Sequence, residues 1–313
     1  MKPNALRPAH VIYEAPDLDR MQAFMQDFGL TVARRTDTDL WMAAADGTPF
    51  AHHTRRADKP AFVGAAFEFA SLDDLHAIAR LDGRGLQPQA SSAPGGGWCL
   101  TLTMADGFRI EAIAGQQKTA DDTTLPQQDP LNFLRSKGRV NRSVRVQPGP
   151  QRVRRFGHFV LHVSDHDASV AWLQQRFGLV AADFFGTPDK PPQIVGTFLR
   201  VNQGATLVDH HCVLVLQADH IGTHHCSFEM AGLDEVMLAH DHLVARGYQL
   251  DVGVGRHMLG SQIFDYWKDP FGFRVEHYTD GDVVNDDYVP SVFTGTADET
   301  TQWGARPDPA FFN

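Results

Sequence analysis

Three residues of this chain could together hold a metal ion: His158, His225 and Glu276. Two imidazoles and one carboxylate on one face of a metal leave three adjacent positions open, an arrangement suited to non-haem Fe(II) chemistry; Mn(II) accepts the same donors. Neutral imidazoles and a single carboxylate leave one positive charge on a divalent ion, which favours an anionic substrate oxygen. Zinc more often takes a tetrahedral ligand set.

The coincidence of these three residues comes from a duplication. Asp106-Gly107-Phe108-Arg109-Ile110-Glu111 reads against Phe271-Gly272-Phe273-Arg274-Val275-Glu276, and Ala9-His10-Val11 against Gly157-His158-Phe159. Each half has a helical stretch ending in Phe-Gly-Leu, at Phe28 to Leu30 and at Phe177 to Leu179. Where the second half has His225-Cys226-Ser227-Phe228-Glu229, the first has Gly64-Ala65-Ala66-Phe67-Glu68. The first copy therefore offers His10, Gly64 and Glu111. Glycine has no imidazole, so only the second copy can complete a site.

Other histidines compete for the assignment. His224 and His225, like His210 and His211, should point to opposite faces of a strand, so at most one of each pair faces inward. His162, four residues beyond His158, reads as core or as support behind the ligands. His277 should face away from Glu276, while His240 and His242 read as solvated helix surface. Cys212 and Cys226 read as small buried hydrophobes on the opposite face from the histidines they follow.

The elements that must position these groups recur four times. Residues 8–15, 64–69, 157–163 and 225–230 are strand-like, and each is followed by a helical stretch (18–28, 71–81, 167–177 and 233–246) and then short strands such as 98–103 and 194–201. Ser71 and Asp74 suggest a capped helix start, and Gly247 a helix stop. Strand, helix and several strands, four times over, is a βαβββ module arranged as two pairs. Residues 1–115 form a first, non-catalytic domain and 155–280 a second, metal-binding one. Residues 116–154 are an aperiodic linker, and 281–313 a tail with scattered aromatics that packs across the surface.

Composition sets the outer limits. The chain of 313 residues is 42% apolar and 21% charged, a globular profile. A formal charge of 28 − 38 = −10 argues against nucleic acid or an anionic membrane as partner. Sixteen histidines favour metal or proton chemistry. Three cysteines without a CxxC pair point to a reducing compartment. With neither an apolar leader at the N-terminus nor an apolar run long enough to span a bilayer, a cytoplasmic location is expected.

With Gly157-His158-Phe159-Val160, Thr223 to Glu229 and Pro270 to Glu276 in view, the chain resembles the type I extradiol ring-cleavage dioxygenases of the vicinal oxygen chelate superfamily, from about residue 8 to 280. The most specific part is Gly255-Arg256-His257, then Tyr266 and Glu276, with Asp209-His210-His211 upstream of His225. The resemblance implies an α+β fold: four βαβββ modules paired into two domains with curled mixed β-sheets. It implies that His158, His225 and Glu276 bind Fe(II), with His211 as acid/base, His257 as a supporting donor and Tyr266 as a partner of the substrate hydroxyl. The implied reaction is cleavage of a catechol or polyhydroxylated arene by O2 to a ring-opened semialdehyde-type product, without an external reductant, in a homo-oligomer serving aromatic hydrocarbon catabolism. Leu259-Gly260-Ser261 and Glu276 to Asp282 are similar to the branch related to trihydroxytoluene oxygenase. Two other readings use the same scaffold. One is a glyoxalase-like metal-dependent isomerase or hydrolase, which does not call for His211, His257 and Tyr266 together. The other is a small-molecule binding protein, which needs no complete metal triad.

Overall fold

The computed structural model describes residues 3–120 and 131–312, so part of the expected linker and the last residue of the tail lie outside the described residues. The first half is one eight-stranded sheet with two helices. Its elements are β1 (Arg7–Ala15), α1 (Leu18–Asp27), β2 (Thr31–Arg35), β3 (Asp39–Ala43), β4 (His52–Arg56), β5 (Ala61–Phe69), α2 (Leu72–Asp82), β6 (Gln89–Ala90), β7 (Trp98–Thr103) and β8 (Arg109–Ala114). A short ribbon of β9 (Asn132–Phe133) and β10 (Ser136–Lys137) lies in the connection. The second half contains β11 (Arg155–Val163), α3 (His166–Phe177), β12 (Val180–Gly186), β13 (Ile194–Arg200), β14 (Val208–Asp209), β15 (Val213–Gln217), β16 (Gly222–Glu229), α4 (Leu233–Ala245), β17 (Gln249–His257), β18 (Ile263–Lys268) and β19 (Arg274–Thr279). The tail adds β20 (Val283–Val284), β21 (Val292–Phe293) and β22 (Thr301–Gly304).

The strand orders of the two sheets match. The first runs β2-β3-β4-β1-β5-β8-β7-β6, and the second runs β12-β13-β15-β11-β16-β19-β18-β17 between β21 and β22. Mixed pairing with helices outside the sheets makes the chain α+β. The tail does more than pack across the surface: β21 adds in parallel to β12, and β22 adds antiparallel to β17, so each edge of the second sheet is covered.

Local sequence accounts for the helix ends. Ser71 and Asp74 form a reciprocal capping box at α2, as their spacing suggests. Asp17 and Asp165 accept backbone N–H groups at the starts of α1 and α3, and Gly178 closes α3 in the left-handed conformation. The apolar faces of both halves meet in one continuous core, where Phe67 lies 5.9 Å from Phe159 and 5.2 Å from Phe177, and Phe28 lies 5.7 Å from Phe228 (ring centroids). Polar contacts lock the same seam: the Asp27 carboxylate of α1 binds His242, Arg246 and Tyr248 at 2.8–2.9 Å. His242 is therefore an inter-half contact, and His240 binds Asp265 at 2.9 Å with its pKa raised by that bond. Both depart from the solvated surface expected of them, because the exposed side of α4 ends where the neighbouring strand and the first half begin.

Candidate metal centre and its cavity

Neighbouring strands at the middle of the second sheet carry the three candidate ligands. His158 on β11 pairs in register with Ser227 on β16, Ser227 pairs with Glu276 on β19, and Val160 pairs with His225. The three side chains thus rise from one patch of the sheet. His158 Nε2 lies 3.3 Å from His225 Nε2 and 3.2 Å from Glu276 Oε2, and His225 Nε2 lies 3.4 Å from the same oxygen. Metal–ligand bonds of about 2.1 Å put two donors roughly 3.0 Å apart at right angles and roughly 3.4 Å apart at the tetrahedral angle. One first-row divalent ion therefore fits between these atoms.

The surroundings agree. All three side chains are buried, and Glu276 Oε1 has no hydrogen-bond partner, an orphaned charge that a cation would satisfy. Ser227 Oγ donates to Glu276 Oε2 and orients the carboxylate. Burial pushes the Glu276 pKa up, but the surrounding imidazoles of His158, His257 and His225 hold it well below the usual carboxylate range. Burial drives His225 well below the usual imidazole value, with Glu276 opposing, so His225 presents a neutral lone pair. Among the described residues, no other group of three or more His, Cys, Asp or Glu side chains converges in this way.

Gly157, just before His158, is required by close approach. A Cβ there would sit 2.2 Å from the Tyr278 hydroxyl, and the Tyr278 ring packs 5.3 Å from the His158 ring.

One member of each adjacent histidine pair, His225 and His211, lines the cavity, yet the other member is not turned to solvent. His224, His225, His210 and His211 are all buried. The register of β11 on β16 steps from Val160↔His225 to Leu161↔Thr223, which makes His224 the extra residue of a β-bulge. The bulge breaks strict alternation and brings His224 Nδ1 to 2.6 Å from His225 Nδ1. His210 and His211 follow β14 in irregular backbone, where alternation does not apply. His162 is buried against His220, at 2.7 Å, and His277 stacks on Phe28 and binds its carbonyl, so neither reaches the ligands. Cys212 and Cys226 are buried, as expected of small hydrophobes.

The remaining site residues line the same narrow, partly open cavity. His211 stands on one side, its ring centroid 4.3 Å from that of His158. His257 and Tyr266 stand together, with 2.8 Å between Nε2 and the phenol oxygen. Burial raises the Tyr266 pKa well above its usual value, and the Glu276 charge adds to this, so the phenol stays protonated.

Several contributors escaped the sequence reading. Asp183 on β12 is fully buried and binds His210 Nε2 at 2.8 Å, with Tyr288 and Ser291 as further donors. A carboxylate between Ala182 and Phe184 was the signal available. Arg274 was read only as a landmark of the repeat. It binds His224 Nε2 at 2.8 Å and pairs with Asp251, and its guanidinium lies 4.1 Å from the Phe311 ring centre. Phe311 and Phe312, at the end of the tail, form a wall of the cavity, and the Phe311 carbonyl lies 2.7 Å from His224 Nε2.

With this geometry established, comparison with known proteins is informative. The profile of the Glyoxalase/Bleomycin resistance protein/Dioxygenase superfamily matches residues 155–277. Metapyrocatechase 2 of Cupriavidus necator is 26% identical over 98% of this chain and 93% of its own. The structure of a Mn(II)-bound glyoxalase from Novosphingobium aromaticivorans superposes with a TM-score of 0.79 at 23% identity, covering 99% of this chain and 94% of that one. An extradiol ring-cleaving dioxygenase from B. fuscum gives 0.80 at 16% identity, covering 99% and 82%. The span that contains His158, His211, His225, His257, Tyr266 and Glu276 is accordingly a domain of the Glyoxalase/Bleomycin resistance protein/Dioxygenase superfamily.

Proposed function

We propose that this protein is an extradiol dioxygenase, cleaving the ring of a catechol or polyhydroxylated arene with O2 to a ring-opened semialdehyde-type product, with Fe(II) held by His158, His225 and Glu276. One observation carries the reading: a convergent two-histidine, one-carboxylate set faces a cavity that also presents His211 and the His257–Tyr266 pair. A ferrous ion in that set would supply three open positions at which a diol and O2 are held side by side.

The protein's own groups supply the rest. A diol that enters as a chelator sheds a proton, and His211 is placed to take it. Asp183 fixes which nitrogen does so. His210 Nε2–H donates to the Asp183 carboxylate, which leaves His210 Nδ1 as acceptor of the His211 Nδ1–H across 3.1 Å. His211 Nε2 is then the free base. Burial first, then the neighbouring His158 and His210, lowers the His211 pKa well below the usual value, so the ring starts neutral. The proton it takes up returns as the ring opens. Tyr266, held by His257, offers its hydroxyl to the second substrate oxygen. Both atoms of O2 end in the product, so the electrons balance without an external donor. The first half acts as scaffold, and the active form is a homo-oligomer. Three unpaired cysteines support a reducing compartment such as the cytoplasm.

The test is direct. Protein reconstituted with ferrous iron without oxygen, then mixed with aerated catechols, should form a yellow product and consume one O2 per ring. No turnover across catechols and trihydroxybenzenes, with iron bound, would end this reading. The Mn(II) glyoxalase with the same fold favours a second reading, a glyoxalase-like isomerase. Mn(II)-loaded protein that isomerises a glutathione hemithioacetal and spares catechols would establish it instead.

A further inference from the structure

The cavity has two chemically distinct ends. The ligand end carries the imidazoles and Tyr266, while apolar side chains, among them Phe185, Phe198, Leu259 and Phe312, line most of the remainder, and Gln262 and Thr300 are its neutral polar members. Phe185 lies 5.0 Å from Phe198 and 5.9 Å from Phe312 (ring centroids), so these aromatics form one continuous wall. Among the described residues, no Lys, Arg, Asp or Glu lines this space. The two nearby arginines are committed elsewhere: Arg274 pairs with Asp251, and Arg256 binds Asp280 at 2.6 Å and the Ser261 carbonyl at 2.5 Å.

From this we infer that the substrate is a catechol bearing an apolar alkyl or aryl substituent, and that the site discriminates against carboxylate-bearing catechols. The inference rests on the ring-cleavage reading and deepens it. An apolar substituent leaves water for a wall of aromatic and aliphatic carbon. A carboxylate in the same place would lose its hydration with no cation to replace it, only the neutral Gln262 amide and Thr300 hydroxyl. Phe198 sits 5.0 Å from the His211 ring, so the wall begins beside the base and the substituent cannot be held far from it.

The experiment uses a matched pair, 4-isobutylcatechol and 3,4-dihydroxyphenylacetate, with the 3-isobutyl and 2,3-dihydroxyphenylacetate isomers as a second pair. Iron-loaded full-length protein should favour the alkyl member by about 100-fold in kcat/KM, equivalent to about 2.7 kcal/mol. The same order should appear in anaerobic dissociation constants read from the catechol absorbance. Equal or better handling of the carboxylate members overturns the inference. Tight anaerobic binding of the alkyl members without turnover keeps the apolar selectivity of the cavity and removes the ring-cleavage reading, so the two fail separately. Leu259→Arg, on the partly exposed turn between β17 and β18, should narrow the preference to about 10-fold through gained affinity for the carboxylate. An unchanged ratio in that variant with normal metal content would show that the wall does not contact the substituent.

Discussion

His10 and His158 occupy the same place in their sheets, and so do the residues around them. Ile12 pairs with Gly64 where Val160 pairs with His225, and Ala66 pairs with Glu111 where Ser227 pairs with Glu276. Thr101 faces Glu111 where Tyr266 faces Glu276. Val11 pairs with His52 as Phe159 pairs with Val213, which places Phe50 opposite His211 two residues earlier. Each of those rings sits 4.3 Å from the first histidine of its half. The backbone is thus duplicated faithfully while the chemistry is not. In the first half His10 Nε2 lies 3.5 Å from Glu111 Oε2, and Arg109 binds that same carboxylate at 3.2 Å, neutralising it. In the second, the equivalent Arg274 turns away to Asp251 and His224, leaving Glu276 free for a cation. A fold can therefore repeat in full while a site vanishes through a few side chains.

Four experiments would break or sharpen this contrast. The largest effect is expected from His225→Ala, which should lose both bound metal and catalysis, whereas His10→Ala should leave turnover within about 2-fold. Metal content by mass spectrometry and O2 uptake would decide it, and an equal loss in both variants would end the asymmetry. His211→Phe gives the second half the residue of the first. It should keep its metal and slow turnover about 100- to 10,000-fold, the range for a lost acid/base. Asp183→Asn should also keep its metal and reduce kcat by about 10- to 100-fold, since it acts only through the orientation of His210 and His211. An unchanged kcat would remove Asp183 from the relay.

The smallest functional effect belongs to Gly64→His, which restores the missing ligand in name only. A Cβ at Gly64 would lie 1.7 Å from the Arg109 carbonyl oxygen, so the strands must separate to admit any side chain. The variant should lose stability by about 3 kcal/mol, seen as a lower Tm, and still bind one metal per chain. Two metals per chain would mean that the first half remains competent to hold an ion.

Much of the scaffold was legible because periodicity and caps are local. The strand at Trp98–Thr103, the capping box at Ser71 and the stop at Gly178 all follow from nearest neighbours in the chain. The repeat marked the ligand positions because strands of equal register place equivalent residues side by side. Alternation misjudged His224 because a bulge has no local signature, and His240 and His242 because their partners lie 25 and 215 residues away. The tail was read as a surface strap, yet Phe311 and Phe312 complete the cavity from the far end of the chain.

The sequence by itself determined the module, its duplication and the half that carries two histidines and a carboxylate, since residue type and spacing suffice for these. Only the tertiary structure decided that three atoms from three strands converge within 3.4 Å, that Asp183 stands behind His211 through His210, and that the wall opposite the ligands is free of charge. Each of these is a distance between residues remote in the chain. Such distances are set by strand register, a bulge and a returning tail, none of which is written in any single stretch of residues.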